Sequence, residues 1–194
     1  GVPRGARVML LLPNVPHFVI AYYGALRLGA VVVTSNPLAN AAEVVRQAQD
    51  SGAELLVTLE PFREVARVVQ AQSDVRHVIF GREVDYLPWR SRVLRWLRNS
   101  GRLPAEALPP RVHRWQALLR QHDGAPSADQ PSAYDIAVIQ YTGGTTARPK
   151  GVTLTHANLM ANAIQTRVWI PTAQDGEETI LCVVPFSHVY GMTA

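Results

Sequence analysis

Cysteine, lysine and long hydrophobic runs are all scarce in this sequence of 194 residues. The one cysteine, Cys182, has no partner for an internal disulfide, which fits a reducing cytoplasm. The longest apolar runs, such as 8–12 and 30–33, are far shorter than the roughly 20 residues that span a bilayer. The first residues do not have the pattern of a secretory leader, and we expect none. These scarcities argue against a disulfide scaffold and a membrane-spanning helix, and they favour a cytoplasmic protein.

An excess of charge is also missing, except in one segment. The formal net charge of +4 comes from residues 82–102, where six arginines stand against two acidic residues, and the rest of the chain is balanced. With 47% hydrophobic and 18% charged residues, the chain can build a packed core and does not have the composition of a disordered protein. We therefore expect one globular domain, or a large piece of one, with a local basic patch.

The order of short apolar runs predicts an α/β fold. Runs that suit buried strands alternate with segments that have helical spacing, capping residues and closing glycines. Strands are predicted at 6–12, 30–34, 55–59, 77–80, 136–141, 152–155 and 179–184, and helices at 14–29, 40–52, 62–70, 112–121 and 157–167. Asn14 is the predicted cap of the first helix. Single helices between strands favour a parallel-rich sheet with helices on both faces.

A loop rich in glycine and threonine carries the only lysine of the chain, Lys150. Glycines let backbone N–H groups approach a phosphate closely, and threonine hydroxyls add donors. Lys150 supplies a compact positive charge. The residues predicted to hold phosphate are Thr142, Gly143, Gly144, Thr145, Thr146 and Lys150. On chemistry alone a flexible polar hairpin is the alternative, because the spacing differs from that of the common nucleotide-triphosphatase loop.

The run from Tyr141 to His156 resembles the signature of the adenylate-forming, or AMP-binding, superfamily. It has the threonine- and glycine-rich loop, then Pro-Lys-Gly, an apolar pair and Thr-His. Residues 11–14 and 29–38 resemble the first Rossmann-like unit of these enzymes. Residues 185–191, Pro-Phe-Ser-His-Val-Tyr-Gly, resemble their aromatic and histidine segment beside the acid pocket. The resemblance therefore covers nearly the whole chain.

Within this superfamily the chain looks most like bacterial long-chain fatty-acid–CoA ligases. Residues 85–88, Asp-Tyr-Leu-Pro, and the basic stretch after them resemble the insertion of that branch. Ala147 departs from the family pattern, which has glycine there, and we expect a stiffer loop that still binds phosphate. The resemblance implies a partial N-terminal AMP-binding domain, truncated before its later motifs. Its implied parts are the first βα units at 1–81, a basic insertion and linker at 82–131, and the phosphate loop with the start of the acid-pocket region at 132–194.

The resemblance also implies an acid–thiol ligase that uses ATP, Mg²⁺ and CoA to activate a fatty acid. The carboxylate would attack ATP to give an acyl-adenylate, and CoA would then displace AMP to give the thioester. The loop would hold the β- and γ-phosphates, and His188 would be the catalytic residue beside the substrate carboxylate. Mg²⁺ would arrive with ATP, because no metal-ligand cluster is visible in the sequence. Without the family's later motifs, the chain alone is expected to be inactive and to need the C-terminal portion of the enzyme.

Several alternatives stay open at this point. The acid could be another carboxylic acid, the chain could be a non-catalytic phosphate-binding or membrane-associated module, and His188 could be a core histidine. On residues 89–98, tryptophans lie opposite arginines at helical spacing, which suits the surface of an anionic membrane at its inner face. The same pattern also suits a helix that packs on its own domain. No nucleic-acid partner is expected, because the basic patch is short and no recognised nucleic-acid module accompanies it.

Overall fold

The computed structural model describes residues 2–91, 110–121, 130–142, 149–174 and 176–193. Its strands are β1 (Arg7–Leu11), β2 (Val31–Ser35), β3 (Leu55–Leu59), β4 (His77–Gly81), β5 (Val112–Arg114), β6 (Ile136–Thr142) and β7 (Lys150–Thr155). They form one sheet in the order β5-β4-β3-β1-β2-β6-β7. Neighbouring strands are parallel except for the antiparallel pair β6 and β7. The parallel-rich sheet is as predicted.

Helices cover both faces of the sheet. They are α1 (Pro16–Arg27), α2 (Ala41–Ser51), α3 (Arg63–Gln72), α4 (Trp115–Gln121), α5 (His156–Val168) and α6 (Val189–Thr193). Successive side chains of a strand point to opposite faces. Accordingly Leu10 of β1 packs in one core with residues of α1 and α4, whereas Met9 and Leu11 pack in a second core with α2 and α3. This confirms the prediction of helices on both faces.

Strands β1 and β2 are buried on both faces, as the middle of a parallel sheet requires. Every residue of Val31–Ser35 is buried, and so is every residue of β1 after Arg7. The second helix begins where its sequence predicts, because the Asn40 side chain accepts the N–H of Glu43, and it ends at Gly52 in the left-handed conformation. No helix within the described ranges has the length and apolarity that crossing a membrane requires.

The helix predicted at 112–121 is wrong for its first three residues. Val112 and His113 instead pair in parallel with Val78 and Ile79 of β4. Arg111 has a φ of 68°, so the chain turns sharply before this strand. The free edge of β4 offers Val112 a ladder, and this tertiary pairing prevails over the helical spacing of the sequence.

The strand predicted at 179–184 is also wrong. This segment is irregular, and the side chains of Leu181 and Val183 are 84% and 75% exposed. An apolar, β-branched run forms a strand only where another strand pairs with it. Here the carbonyls of Cys182 and Val184 accept hydrogen bonds from Asn14 instead. Asn14 therefore does not cap α1, whose N-cap is Val15 without a side-chain bond.

Candidate functional site

The predicted phosphate loop joins the two antiparallel strands of the sheet. Thr142 at the end of β6 pairs with Lys150 at the start of β7, and the Thr142 hydroxyl lies 3.5 Å from the Lys150 carbonyl oxygen. Both residues are exposed. The structure thus brings together the two ends of the loop; Gly143, Gly144, Thr145 and Thr146 lie outside the described residues. We call β6, residues 143–149 and β7 the phosphate-loop hairpin.

The end of the hairpin from which the loop extends, at Thr142 and Lys150, lies at the carboxyl edge of the parallel strands. Thr34 of β2 is in register with Gln140 of β6, and Thr142 follows two residues later on β6. In open α/β sheets, ligands bind in the crevice at this edge of the sheet. Lys150 is exposed and lies at this edge of the sheet, where an anionic ligand is expected.

Contacts of Tyr141 with α2 hold the hairpin in place next to the loop. The Tyr141 hydroxyl donates a hydrogen bond to the Asp50 carboxylate at 2.6 Å and lies 3.2 Å from the Gln47 carbonyl oxygen, both in α2. Burial, followed by the bond to Asp50, raises the pKa of the Tyr141 phenol well above its ordinary value. On the facing strand, a Cβ at Gly151 would lie 2.9 Å from Ile139, so only glycine fits without a shift.

His188 lies in an exposed turn just before α6. Its backbone N–H donates to the carbonyl of Pro185 at 3.0 Å, and its carbonyl accepts from Met192 at 3.0 Å. The ring atom Nδ1 accepts the N–H of Tyr190 at 3.3 Å. This bond assigns the proton of the neutral ring to Nε2, so the exposed imidazole presents an N–H donor. A Cβ at Gly191 would lie 2.4 Å from the Pro185 carbonyl oxygen, which makes this turn specific for glycine.

Buried polar side chains, which the sequence analysis did not single out, connect His188 to the hairpin. Gln140 is 8% exposed, and its amide nitrogen donates to the carbonyl of Ser187 at 3.0 Å. Its amide oxygen accepts the hydroxyl of Thr34 at 2.8 Å. A signal for both residues exists in the sequence, since each is a polar residue inside an apolar, β-branched strand. Such residues are buried only where they have hydrogen-bond partners.

Asn14 holds the same segment from the other side. Its amide nitrogen donates to the carbonyls of Cys182 and Val184 at 3.0 and 2.8 Å, and its oxygen accepts the N–H of Phe186 at 2.7 Å. Asn14 lies in the loop that leaves the carboxyl end of β1. We call residues 182–188 the His188 segment; it is therefore attached to the loop after β1 and to β6.

The Asp-Tyr-Leu-Pro motif has a structural role in this arrangement. The carboxylate of Asp85 lies 3.2 Å from Nε2 of His17, and both side chains are almost fully buried. Tyr86 contacts the His17 ring edge-on and accepts the indole N–H of Trp115 at 2.8 Å. Gly81 leaves room for this ring, because a Cβ there would lie 2.5 Å from it. The motif anchors the chain after β4 to the first turn of α1.

Comparisons with known proteins show the family of this chain. The family model for AMP-binding enzymes matches residues 1–194. The chain is 36% identical over 199 residues to a long-chain-fatty-acid–CoA ligase of Bacillus subtilis (strain 168), and the match covers 100% of this chain and 35% of that protein.

Two solved structures share the fold. MbtA of Mycobacterium smegmatis, in its apo form, has a TM-score of 0.76 and 26% identity, with 100% of this chain and 33% of that chain covered. A long-chain-fatty-acid-CoA ligase of Archaeoglobus fulgidus has a TM-score of 0.70 and 27% identity, with 100% and 33% covered. The chain thus spans about a third of the length of the proteins to which it is similar.

Proposed function

Because the chain belongs to the AMP-binding enzyme family, we propose that it forms the phosphate-holding part of an ATP-dependent long-chain fatty acid–CoA ligase. The observation that carries the proposal is the pairing of Thr142 with Lys150 at the carboxyl edge of the sheet. This pairing keeps the two ends of the loop, Thr142 and Lys150, next to each other at one edge of the sheet. That arrangement matches the needs of a triphosphate, which requires several donors and a positive charge.

The proposed reaction has two steps. First, a carboxylate oxygen of the fatty acid bonds to the α-phosphorus of ATP while the bond from that phosphorus to pyrophosphate breaks. Second, the sulfur of CoA bonds to the acyl carbon, AMP leaves with the electron pair of the broken C–O bond, and the thiol proton is released. Mg²⁺ that enters with ATP would balance part of the phosphate charge. The loop from Thr142 to Lys150 holds the β- and γ-phosphates, so that charge moving onto pyrophosphate is stabilised.

His188 is the proposed group beside the acid. Its Nε2–H can donate a hydrogen bond to one carboxylate oxygen, which orients the other oxygen for attack. The exposure of the ring and the bond from Tyr190 to Nδ1 support this role. A core histidine, the alternative that the sequence left open, would be buried with its nitrogens satisfied within the fold.

A cavity supports a long acyl chain over a compact acid. It has a volume of about 430 Å³ and lies between α1, α5 and α6. Tyr22, Leu159 and Met192 contribute to its walls, and Met192 lies one helical turn beyond His188. An acid whose carboxylate is near His188 could therefore extend its chain along α6 into this space.

Narrowing the cavity with Ala163→Phe should lower activity with palmitate more than with butyrate.

The direct test is product formation by the full-length protein. Given ATP, Mg²⁺, CoA and palmitate, it should form palmitoyl-CoA, AMP and pyrophosphate in equal amounts, measured by mass spectrometry. The 194-residue chain alone should form none. A full-length protein that adenylates an aryl or amino acid, but not palmitate, would favour the alternative that another carboxylic acid is activated. Absence of any adenylate would favour a non-catalytic module.

We also propose a peripheral position at the inner face of an anionic membrane, through residues 89–98. Trp89 is 69% exposed and the guanidinium of Arg90 lies over its ring, which suits a lipid interface. Residues 92–98 lie outside the described residues. In a flotation assay, the protein should rise with vesicles that contain phosphatidylglycerol and not with neutral vesicles. If the protein binds neither kind of vesicle, the proposed membrane contact is wrong.

A further inference from the structure

We propose that Gln140 and Asn14 are positioning residues that set the place of the His188 ring relative to the phosphate loop. The inference rests on the function proposed above, in which His188 orients the acid and the loop holds ATP. It adds two groups whose hydrogen bonds are made to the protein itself, together with Thr34, which orients one of them. Their role follows from four hydrogen bonds to the backbone of the His188 segment.

The His188 segment depends on these bonds because it has little regular structure of its own. Residues 180–188 belong to no helix or strand. Isolated irregular backbone samples many conformations, and each fixed point removes some of them. Asn14 binds the segment at residues 182, 184 and 186, and Gln140 binds it at 187. The fixed points therefore extend to the residue directly before His188.

Gln140 connects this segment to the strand that leads into the phosphate loop. It lies on β6 two residues before Thr142, where the loop begins. Thr34 is directly opposite Gln140 on β2, and its hydroxyl donates to the amide oxygen of Gln140. Because the oxygen accepts this hydroxyl, the amide nitrogen is left to donate to the carbonyls of Ser187 at 3.0 Å and Tyr141 at 3.3 Å. Thr34, Gln140 and Ser187 are all at least 92% buried, so water does not replace these bonds easily.

Loss of the Gln140 or Asn14 side chain should change the position of the acid relative to ATP. Attack on phosphorus needs the acid and ATP to be aligned, and a misplacement of about 1 Å can cost roughly a hundredfold in rate. Loss of either side chain should therefore lower kcat for adenylation while the KM for ATP changes little, because the loop itself is intact. A residue that only stabilises the fold would lower the amount of folded protein and leave kcat per folded molecule unchanged.

The test uses NMR signals of the histidine rings in the full-length protein, with the His188 signal assigned by its loss in His188→Gln. Gln140→Met keeps the size of the side chain and removes its hydrogen bonds with Thr34, Tyr141 and Ser187, and Asn14→Ala removes the three bonds of Asn14. Each variant should shift or broaden the His188 signal. The matched control is Asn40→Ala, which removes an asparagine cap from α2 and should leave the His188 signal unchanged while it lowers stability.

Thr34 gives a second, milder pair of variants. Thr34→Val keeps the shape and loses the hydroxyl, and it should move the His188 signal; Thr34→Ser restores the hydroxyl and should return the signal to its original position. This pair carries the test if Gln140→Met does not fold. An unchanged His188 signal in Thr34→Val and Asn14→Ala would overturn the inference.

Kinetics of the full-length protein separate this inference from the proposed function. In Gln140→Met, kcat for fatty-acid-dependent adenylation should fall at least about tenfold with the KM for ATP nearly constant. If the wild-type protein has no ligase activity, the proposed function fails, whereas the NMR result still decides whether Gln140 and Asn14 position His188. If the wild-type protein is active and Gln140→Met and Asn14→Ala have the same kcat as the wild type, the positioning role is wrong.

Discussion

Tyr141 joins the phosphate-loop hairpin to α2 through its hydroxyl group. The bond to Asp50 is short, at 2.6 Å, and the side chain is only partly exposed. At the scale of residues, the site follows one pattern. The groups proposed to meet substrate, Lys150 and His188, are exposed, whereas Gln140 and Thr34, which support the His188 segment from β6 and β2, are buried and hydrogen-bonded. Fixed supports and accessible donors are what binding an anion requires.

The first prediction concerns Tyr141→Phe. Removing the hydroxyl should lower the free energy of unfolding by about 1 kcal/mol, the usual contribution of a hydrogen bond, as measured by urea denaturation at pH 7. The folded state raises the pKa of this phenol, so it favours the neutral form, and the resulting stability is lost as pH rises above about 10, where the unfolded tyrosine ionises. The variant should therefore lose less stability in alkali than the wild type. Tyr134→Phe is the control, because Tyr134 is 85% exposed and the change should leave the free energy of unfolding at pH 7 nearly the same.

At the scale of elements, the connections between strands rest on specific side-chain pairs. His17 and Asp85 tie the start of α1 to the turn after β4, and Arg4 ties the loop before β1 to Asp135 at the start of β6. The first pair is buried and the second is exposed. We therefore expect the two pairs to contribute very differently to stability.

The second prediction is that Asp85→Ala destabilises the chain strongly. The change leaves Nε2 of buried His17 and the backbone N–H of Arg82 without their acceptor. Unsatisfied buried polar groups cost about 1–3 kcal/mol each, so the urea midpoint should fall clearly. Asp74→Ala removes an exposed carboxylate of the same type and should change the midpoint little. Equal midpoints for the two variants would contradict the anchoring role of Asp85.

The third prediction concerns pH. The backbone N–H of Ser132, followed by the guanidinium of Arg4, holds the pKa of the Asp135 carboxyl below its usual value. Because the folded pKa is lowered, this carboxylate stabilises the fold at pH values above its ordinary pKa of about 4, and the contribution is lost as pH falls through the lowered value. Arg4→Gln should raise the pKa of Asp135, as measured by carboxyl ¹³C shifts, yet leave it below normal because the Ser132 bond persists. A pKa that does not change would contradict the pairing.

At the scale of the whole molecule, the exposed apolar residues are concentrated around α5 and the chain after it. Met160, Ile164 and Val168 recur at helical spacing along α5 and are 62%, 56% and 70% exposed. Leu181 and Val183, in the chain after α5, are exposed as well. An apolar patch of this kind is a surface that tends to be covered in the working protein.

The fourth prediction follows from this surface. The 194-residue chain should bind the dye ANS and self-associate as its concentration rises, and Met160→Gln combined with Ile164→Gln should reduce both effects. The control is Val19→Gln with Ile20→Gln on α1, two apolar residues that are 41% and 40% exposed. Equal dye binding in both double variants would show that the α5 surface has no special role.

The sequence predicts the local parts of this molecule well and its long-range contacts poorly. The family membership and the fold were both predicted, because short apolar runs, the Asn40 cap and Gly52 are local signals, and the motif around Lys150 is long and specific. The strand predicted at 179–184 fails, because pairing depends on a partner that the run itself does not specify. The partners of Asn14 and Gln140 were missed for the same reason, since they lie 168 and 47 residues away in sequence. Contacts between residues so far apart in sequence form only when the sheet is assembled.

The most direct test of the proposed phosphate site is fatty-acid-dependent exchange of pyrophosphate into ATP by the full-length protein, with Lys150→Ala compared to wild type. Loss of one charge-assisted contact should lower kcat/KM for ATP about ten- to a hundredfold, while the dissociation constant for palmitate stays the same. Arg67→Ala, which removes an exposed positive charge from α3, should leave both quantities unchanged. Equal ATP kinetics in Lys150→Ala and the wild type would contradict the assignment of this hairpin as the phosphate-binding element.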